Sequence, residues 1–235
     1  MTRRLRRYRL GGAALEAFLI VQLVYLYFDL VAVKVPAYGA PMAAWRAMIL
    51  AQHDLIRWHI LLPLFNAFCL LMPASVALKQ RLEEVTPQGS VWPELVVPGA
   101  ALATATVFVA EIILAVFGLV PEALSDSILS VLLMANTYCV FVAANLAGSL
   151  LVGAASLAML ESSSSSGALA WMGVVTAGAG LLGALWLASG NMQGPLFALT
   201  VLSRALLLLW LAAAGVWLYR TAEGTASFEG QTAGG

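Results

Sequence analysis

Apolar residues along this chain fall in six long runs that are separated by short polar or charged segments. Each run can supply the roughly 20 helical residues that cross the apolar core of a bilayer. They predict six membrane-spanning helices, at about 13–35, 57–78, 95–120, 127–160, 168–189 and 196–219. No run shows the short alternating pattern of transmembrane β-strands. The pattern therefore predicts an all-α, polytopic membrane protein with six transmembrane helices.

The fourth run is longer than a membrane requires. As one straight helix, residues 127–160 would measure roughly 50 Å, against roughly 30 Å of hydrocarbon. Such a helix must tilt strongly, extend beyond the membrane or break. The polar residues Asn136, Thr137 and Asn145 lie where a break would fall. The sequence leaves these three alternatives open.

The segment between the first two runs, residues 36–56, has its own helical pattern. Pro41 suits the first turn of a helix, and Trp45, Ile49 and Ile56 fall near one face. This pattern predicts an amphipathic helix on the outer leaflet of the membrane. A re-entrant segment is the alternative.

The two ends of the chain differ from the membrane domain at 13–220. Residues 1–12 form a basic N-terminus, and the apolar run that follows is longer than the roughly 7–15 residues of a signal-peptide core. We therefore expect an uncleaved first span. The tail at 221–235 has little apolar content, which predicts disorder.

The composition agrees with a membrane location. Hydrophobic residues make up 62% of the chain and charged residues 10%, whereas soluble domains are about half apolar and a quarter charged. The formal net charge is zero, which gives no indication of a nucleic-acid partner. Cys69 and Cys139 lie in separate apolar runs and form no CxxC motif.

The distribution of the 12 Lys and Arg residues predicts the orientation. Eight lie on the side of the N-terminus: Arg3, Arg4, Arg6, Arg7, Arg9, Lys79, Arg81 and Arg220. Four lie toward the other side: Lys34, Arg46, Arg57 and Arg204. Because basic residues favour the cytoplasm, we expect both termini inside the plasma (inner) membrane. The loops 79–94 and 161–167 are then cytoplasmic, and 121–127 and 189–195 are external.

Four polar residues are predicted at similar depths in four different spans. At about 1.5 Å per residue, Asp29 lies roughly 8 Å, and Glu111, Asn136 and Arg204 roughly 12–13 Å, below the outer surface. Ionisable groups at such depth usually face a bundle interior. We therefore expect a Glu111–Arg204 ion pair that joins the third and sixth spans. The pair serves either as a structural tie or in a path for a polar substrate or protons.

Further polar residues lie in the first span. Gln22, Tyr25 and Asp29 follow i, i+3, i+7 spacing and share one face, which must point inward. Glu16 lies near the predicted cytoplasmic end. We expect it to be solvated or paired with the N-terminal arginines.

The segment 52–59 holds both histidines of the chain, in an outer-face cluster of His53, Asp54, Arg57 and His59. Histidines six residues apart do not face each other on a helix, whereas chelation from one helix uses i and i+4. The cluster therefore predicts an Asp54–Arg57 ion pair and no metal site.

The sequence contains none of the common catalytic or nucleotide-binding signatures HExxH, GxSxG and GxxxxGK[ST]. We therefore predict no catalytic residues, no cofactor and no catalytic activity of the chain's own. An enzyme that uses Asp29, Asp54, His59 and Glu111 is the least favoured alternative.

The charged stretch LKQRLEEVTPQGSVWPELVVPG (78–99) leads into the third span. Together with the basic start, the six spans and the predicted cytoplasmic ends, it resembles the layout of ABC-2-type exporter permeases. The Gly-Thr pair typical of that family's loop is absent from this stretch. The resemblance implies a transport permease that forms a dimer and works with a separate cytoplasmic ATPase.

In a permease of this kind, the loop 79–94 would be the coupling segment, and Arg81, Glu83 and Glu84 would contact the soluble partner. The alternative function is a non-catalytic membrane subunit of a larger complex, for instance a respiratory one. Both alternatives predict protein partners in addition to the lipid bilayer.

Overall fold

The computed structural model of the protein describes residues 3–36, 40–162, 167–185 and 194–232. Every regular element within these ranges is a helix, so the predicted all-α class is confirmed. The helices are α1 (Arg3–Tyr27), α2 (Met42–His59), α3 (Leu61–Phe65), α4 (Met72–Val85), α5 (Trp92–Leu119), α6 (Asp126–Tyr138), α7 (Ala144–Glu161), α8 (Gly167–Ala184) and α9 (Pro195–Thr232). A short 3₁₀ turn at Pro121–Ala123 joins α5 to α6.

Three π-helical stretches are present in the described ranges. One extends a helix, and two connect consecutive helices. They are Phe28–Ala32 after α1, Asn66–Leu71 between α3 and α4, and Cys139–Ala143 between α6 and α7. Continuous helices therefore run through more than one element. Each π-helical stretch lies within a predicted span.

Six helices in the described ranges are long and apolar enough to cross a membrane, as the sequence predicts. They comprise Arg4–Ala32, Met42–Val85, Trp92–Leu119, Asp126–Glu161, Gly167–Ala184 and Pro195–Ala222. The chain is an integral membrane protein of six spans. We number the spans in this order below.

The fourth span remains helical from Asp126 to Glu161 and does not break at its polar residues. At Cys139–Ala143 the helix changes from α-helical to π-helical geometry without ending. Thr137 donates its hydroxyl to the carbonyl of Leu133 at 2.8 Å, and therefore satisfies its polar side chain within its own helix. Of the alternatives that the sequence left open, a break is excluded.

The predicted amphipathic segment forms α2, which begins directly after Pro41 and kinks at Gln52 (φ −132°, ψ 19°). Its apolar face, which includes Ile49 and Ile56, packs against Phe117 at the end of the third span. Residues 37–39 lie outside the described ranges. The helix is continuous with the second span and ends three residues later than predicted.

Two arginines attach α2 to the neighbouring spans. Arg46 donates to the carbonyl of Leu124 at 2.6 Å and pairs with Asp126. Arg57 donates to the carbonyl of Gly118 at 2.8 Å. The helix is therefore held over the ends of the third and fourth spans, on the side opposite the N-terminus.

The main core lies between α4, α5, α7, α8 and α9, where small side chains allow close approach of the helices. Trp210 fills its centre, is fully buried, and donates its indole N–H to the carbonyl of Leu169 at 3.0 Å. Gly99 lies against the backbone of Leu151. The third and fourth spans therefore come into close backbone contact at Gly99.

α9 continues to Thr232, into the tail at 221–235, whose disorder stays a prediction from the sequence. Once a helix has formed, adding a residue to it costs far less than starting a new one. Ala222 is also buried against Leu5 and Tyr8 of α1. The last turns of α9 therefore follow a residue that is packed against α1. Residues 233–235 lie outside the described ranges.

Candidate functional site

Glu111 is the most unusual residue in the membrane domain. It lies in α5 within a long apolar sequence, and its side chain is only 3% exposed. Its Oε2 atom is buried and has no hydrogen-bond partner among the described residues. Burying a carboxyl group without such partners costs free energy, so its presence calls for an explanation beyond packing.

The predicted Glu111–Arg204 ion pair is not formed in the part of the chain that the structure describes. Asp29 is the charged residue that acts electrostatically on Glu111. The guanidinium of Arg204 instead lies over the ring of Phe141, with Cζ 5.4 Å from the ring centroid. Phe141 in turn contacts Phe197, at 5.2 Å between ring centroids.

The arrangement of the spans explains this difference. The third span, α5, packs mainly on α2, α4 and α7, whereas the sixth, α9, packs mainly on α1 and α8. Equal depth in the membrane does not make two residues neighbours when their helices are separated. The prediction was wrong because it used depth alone.

Three of the four predicted layer residues do lie near one another. Asp29 of the first span is within electrostatic range of Glu111 of the third. Asn136 of the fourth span donates its amide to the carbonyl of Ala110, the residue before Glu111, at 3.0 Å. We call Asp29, Glu111 and Asn136 the Glu111 layer.

Asn66 is a further buried polar residue that the sequence analysis missed. It is 1% exposed and donates its amide to the carbonyl of Phe18, at 3.1 Å, and to Oε1 of Gln22, at 3.3 Å. The side-chain oxygen of Asn66, Oδ1, is buried and has no hydrogen-bond partner in the described ranges. It is the single amide in the apolar run 60–72, and that contrast could have identified it.

Thr104 lies two helical turns before Glu111 on α5, close to the same face of that helix. Its side chain is 4% exposed, and its hydroxyl is buried without a partner among the described residues. It borders a groove of about 280 Å³ between the second and third spans. Phe68 and Phe108 contact each other edge to face in the wall of this groove.

The π-helical stretches coincide with these polar residues. Asp29 lies in the first stretch and Asn66 begins the second, and the third begins three residues after Asn136. A π-turn inserts an extra residue into a helix and re-aims the neighbouring side chains, and such turns are frequent at functional sites. Nothing in the hydrophobic pattern of the sequence indicates them.

The outer-face cluster forms the predicted ion pair. Arg57 Nη1 lies 3.3 Å from Asp54 Oδ1, and His53 Nε2 lies 3.5 Å from the same atom. The side chain of His59 is outside the described part. Across the described residues, no three His, Cys, Asp or Glu side chains are placed to hold a metal ion.

The charged residues of the predicted 79–94 loop lie on helices, most of them in the last turns of α4, and they pair within the chain. Glu84 contacts Arg81 at 3.1 Å and Arg4 of α1 at 3.3 Å. Lys79 contacts Glu83 at 3.2 Å and Glu94 at 2.7 Å. The end of α4 is therefore attached to α1 and α5 by ion pairs at the surface.

Comparisons of the chain with known protein families, with curated proteins and with solved structures found no match. The resemblance to ABC-2-type permeases therefore stays a prediction from the sequence.

Proposed function

We propose that this protein is a transport permease of the plasma (inner) membrane and moves a polar or ionic solute past the Glu111 layer. The observation that carries the proposal is the buried Glu111 carboxyl group without a hydrogen-bond partner. Ionisable residues within membrane spans usually mark substrate, ion or proton paths, because a span does not otherwise retain so costly a group. The nearby Asp29 and the unpartnered oxygens of Asn66 and Thr104 support the same interpretation.

A solute path predicts that water reaches Glu111 in the membrane. We expect a cysteine in the variant Glu111→Cys to react with a small cationic thiosulfonate reagent in intact cells, after replacement of Cys69 and Cys139 by serine. Ile112→Cys is the matched control, because Ile112 is adjacent but 49% exposed on the protein surface. The expected rate is at least about tenfold higher at position 111, since the thiolate is the reactive species and forms only in water.

Equal, slow reaction of the two cysteines would mean that the layer is dry and structural.

Two exposed positions in the same experiment report the orientation. Glu122→Cys should react with an impermeant reagent from outside, and Gln88→Cys only after the membrane is permeabilised. The reverse result would place both termini outside the cytoplasm.

We further propose that a separate cytoplasmic ATPase drives transport through the 79–94 loop. The support is the position of Arg81, Glu83 and Glu84 in the last turns of α4, at one end of the second span. They belong to a segment whose layout resembles that of ABC-2-type permeases. The ion pairs of Glu84 with Arg4 and Arg81 attach this end of α4 to α1, as a coupling element would require. These ion pairs also neutralise part of the charge on Arg81 and Glu84 that would otherwise be available to a partner.

Purification in mild detergent tests this coupling. We expect an ATPase to co-purify with the wild-type chain and to be lost from the double variant Glu83→Lys with Glu84→Lys, because charge reversal repels the complementary surface. Glu122→Lys, in the turn that joins the third and fourth spans, should retain the partner. Recovery of redox subunits instead would favour the alternative of a subunit in a respiratory complex.

A further inference from the structure

A second groove, separate from the Glu111 layer, runs between the first and last spans. It has a volume of about 520 Å³ and is bordered by Glu16 of α1 and by Tyr219 and Arg220 of α9, among mostly small and apolar residues. The two helices touch along its floor, where a Cβ on Gly12 would lie 2.7 Å from the carbonyl oxygen of Gly215. The small floor residues leave the volume above them empty of protein side chains.

Glu16 is the acidic residue of this groove and is only partly buried. Its Oε1 atom is buried and has no hydrogen-bond partner within the described ranges. It lies against the backbone of Gly215, where an added Cβ would be 2.8 Å from Oε1. Because the Glu16 side chain borders the groove and is only partly buried, a cation in the groove can approach its carboxylate.

Arg220 supplies the opposite charge nearer to the end of the span. It lies five residues beyond Gly215, roughly 7 Å further along α9 toward the basic start of α1. No ion pair joins it to Glu16 in the part of the chain that is described. The groove therefore presents a negative group deeper in the membrane and a positive group closer to the surface.

We propose that this groove binds a zwitterionic amphiphile whose ammonium group lies between its apolar tail and its anionic group. The ammonium would pair with the Glu16 carboxylate and the anion with the Arg220 guanidinium. The tail would lie along Ile20 and Val216, which are 62% and 42% exposed on the same face.

The order of the charges makes the groove selective. A phosphatidylcholine or phosphatidylethanolamine has the opposite order, with its phosphate deeper than its ammonium. Such a lipid would bring its phosphate toward Glu16 and its ammonium toward Arg220, so like charges would face each other. Like-charge juxtaposition disfavours the wrong partner more than matched charges strengthen the right one.

Two synthetic amphiphiles with the same dodecyl tail and no net charge isolate the charge order. Dodecyl sulfobetaine carries its ammonium next to the tail, and dodecylphosphocholine carries its phosphate there. We expect native mass spectrometry of the full-length protein from maltoside micelles to show at least about tenfold more sulfobetaine adduct at equal concentrations, equivalent to about 1.4 kcal/mol. Equal adducts of both compounds would overturn the proposal.

Variants connect this preference to the groove. Glu16→Gln and Arg220→Gln should each lower the sulfobetaine adduct, and the exchange of Glu16→Arg with Arg220→Glu should reverse the preference. Val216→Trp fills the groove without changing a charge and should remove the adduct even if the Glu16 variants fail to fold. Glu122→Gln is the control and should bind normally.

Retention of the full adduct by Val216→Trp would show that the amphiphile binds elsewhere and would refute the assignment. A wild-type preference that survives Glu16→Gln would do the same. A dimer that occludes the groove would appear as a doubled mass without adduct, and would mean that a second copy of the chain occupies this surface instead.

Discussion

Replacement of Glu111 by leucine should make the protein more stable, by about 1–3 kcal/mol in the free energy of unfolding. The buried Oε2 atom has no hydrogen-bond partner among the described residues, so the leucine removes a desolvation cost and loses no hydrogen bond at that atom. The midpoint of thermal unfolding in detergent measures the change.

Two further variants make this result specific. Glu111→Gln keeps a buried polar group and should gain less stability than leucine. A double-mutant cycle of Glu111→Gln with Arg204→Gln should show a coupling below about 0.5 kcal/mol, since residues without shared partners act additively. If leucine destabilises the protein, or the cycle shows strong coupling, Glu111 has a structural partner and the solute path loses its main support.

Substitution of Gly99 by alanine should cost about 2–3 kcal/mol of stability, near the upper end of the usual range for overpacking. The new Cβ would lie 2.6 Å from the backbone nitrogen of Leu151 and 2.8 Å from its Cα. A backbone cannot rotate away as a flexible side chain can, so the third and fourth spans must separate. Denaturation in detergent, followed by tryptophan fluorescence, measures the loss.

Gly178→Ala is the matched control for Gly99→Ala. It lies in the fifth span, and no heavy atom would come within 4 Å of its added Cβ. We expect a gain of up to about 1 kcal/mol, because alanine favours a helix more than glycine does. An equal loss in both variants would contradict the role assigned to the Gly99 contact.

Glu111 shows how far sequence reasoning extends into this site. A carboxylate between two apolar stretches indicates an inward-facing polar group without any structure, and the burial of Glu111 agrees with that. Its choice of neighbour, Asp29 and not Arg204, required knowledge of which spans pack together. The hydrogen bonds of Asn66 could likewise be identified only once the first and second spans were known to be neighbours, because its amide donates to Phe18 and Gln22 of the first span.

The sequence by itself determined the class of this protein and the number of its spans. Both follow from local quantities, since the length and hydropathy of each run can be compared directly with the thickness of a bilayer. The tertiary structure decided which spans are neighbours and therefore which polar groups meet. Lipid tails are as apolar as leucine, so association of spans depends on close contacts such as Gly99 on Leu151 and not on an apolar stripe. Such contacts leave little trace in a hydrophobic pattern. For that reason the neighbours of Glu111 and the groove at Glu16 were decided only by the folded chain.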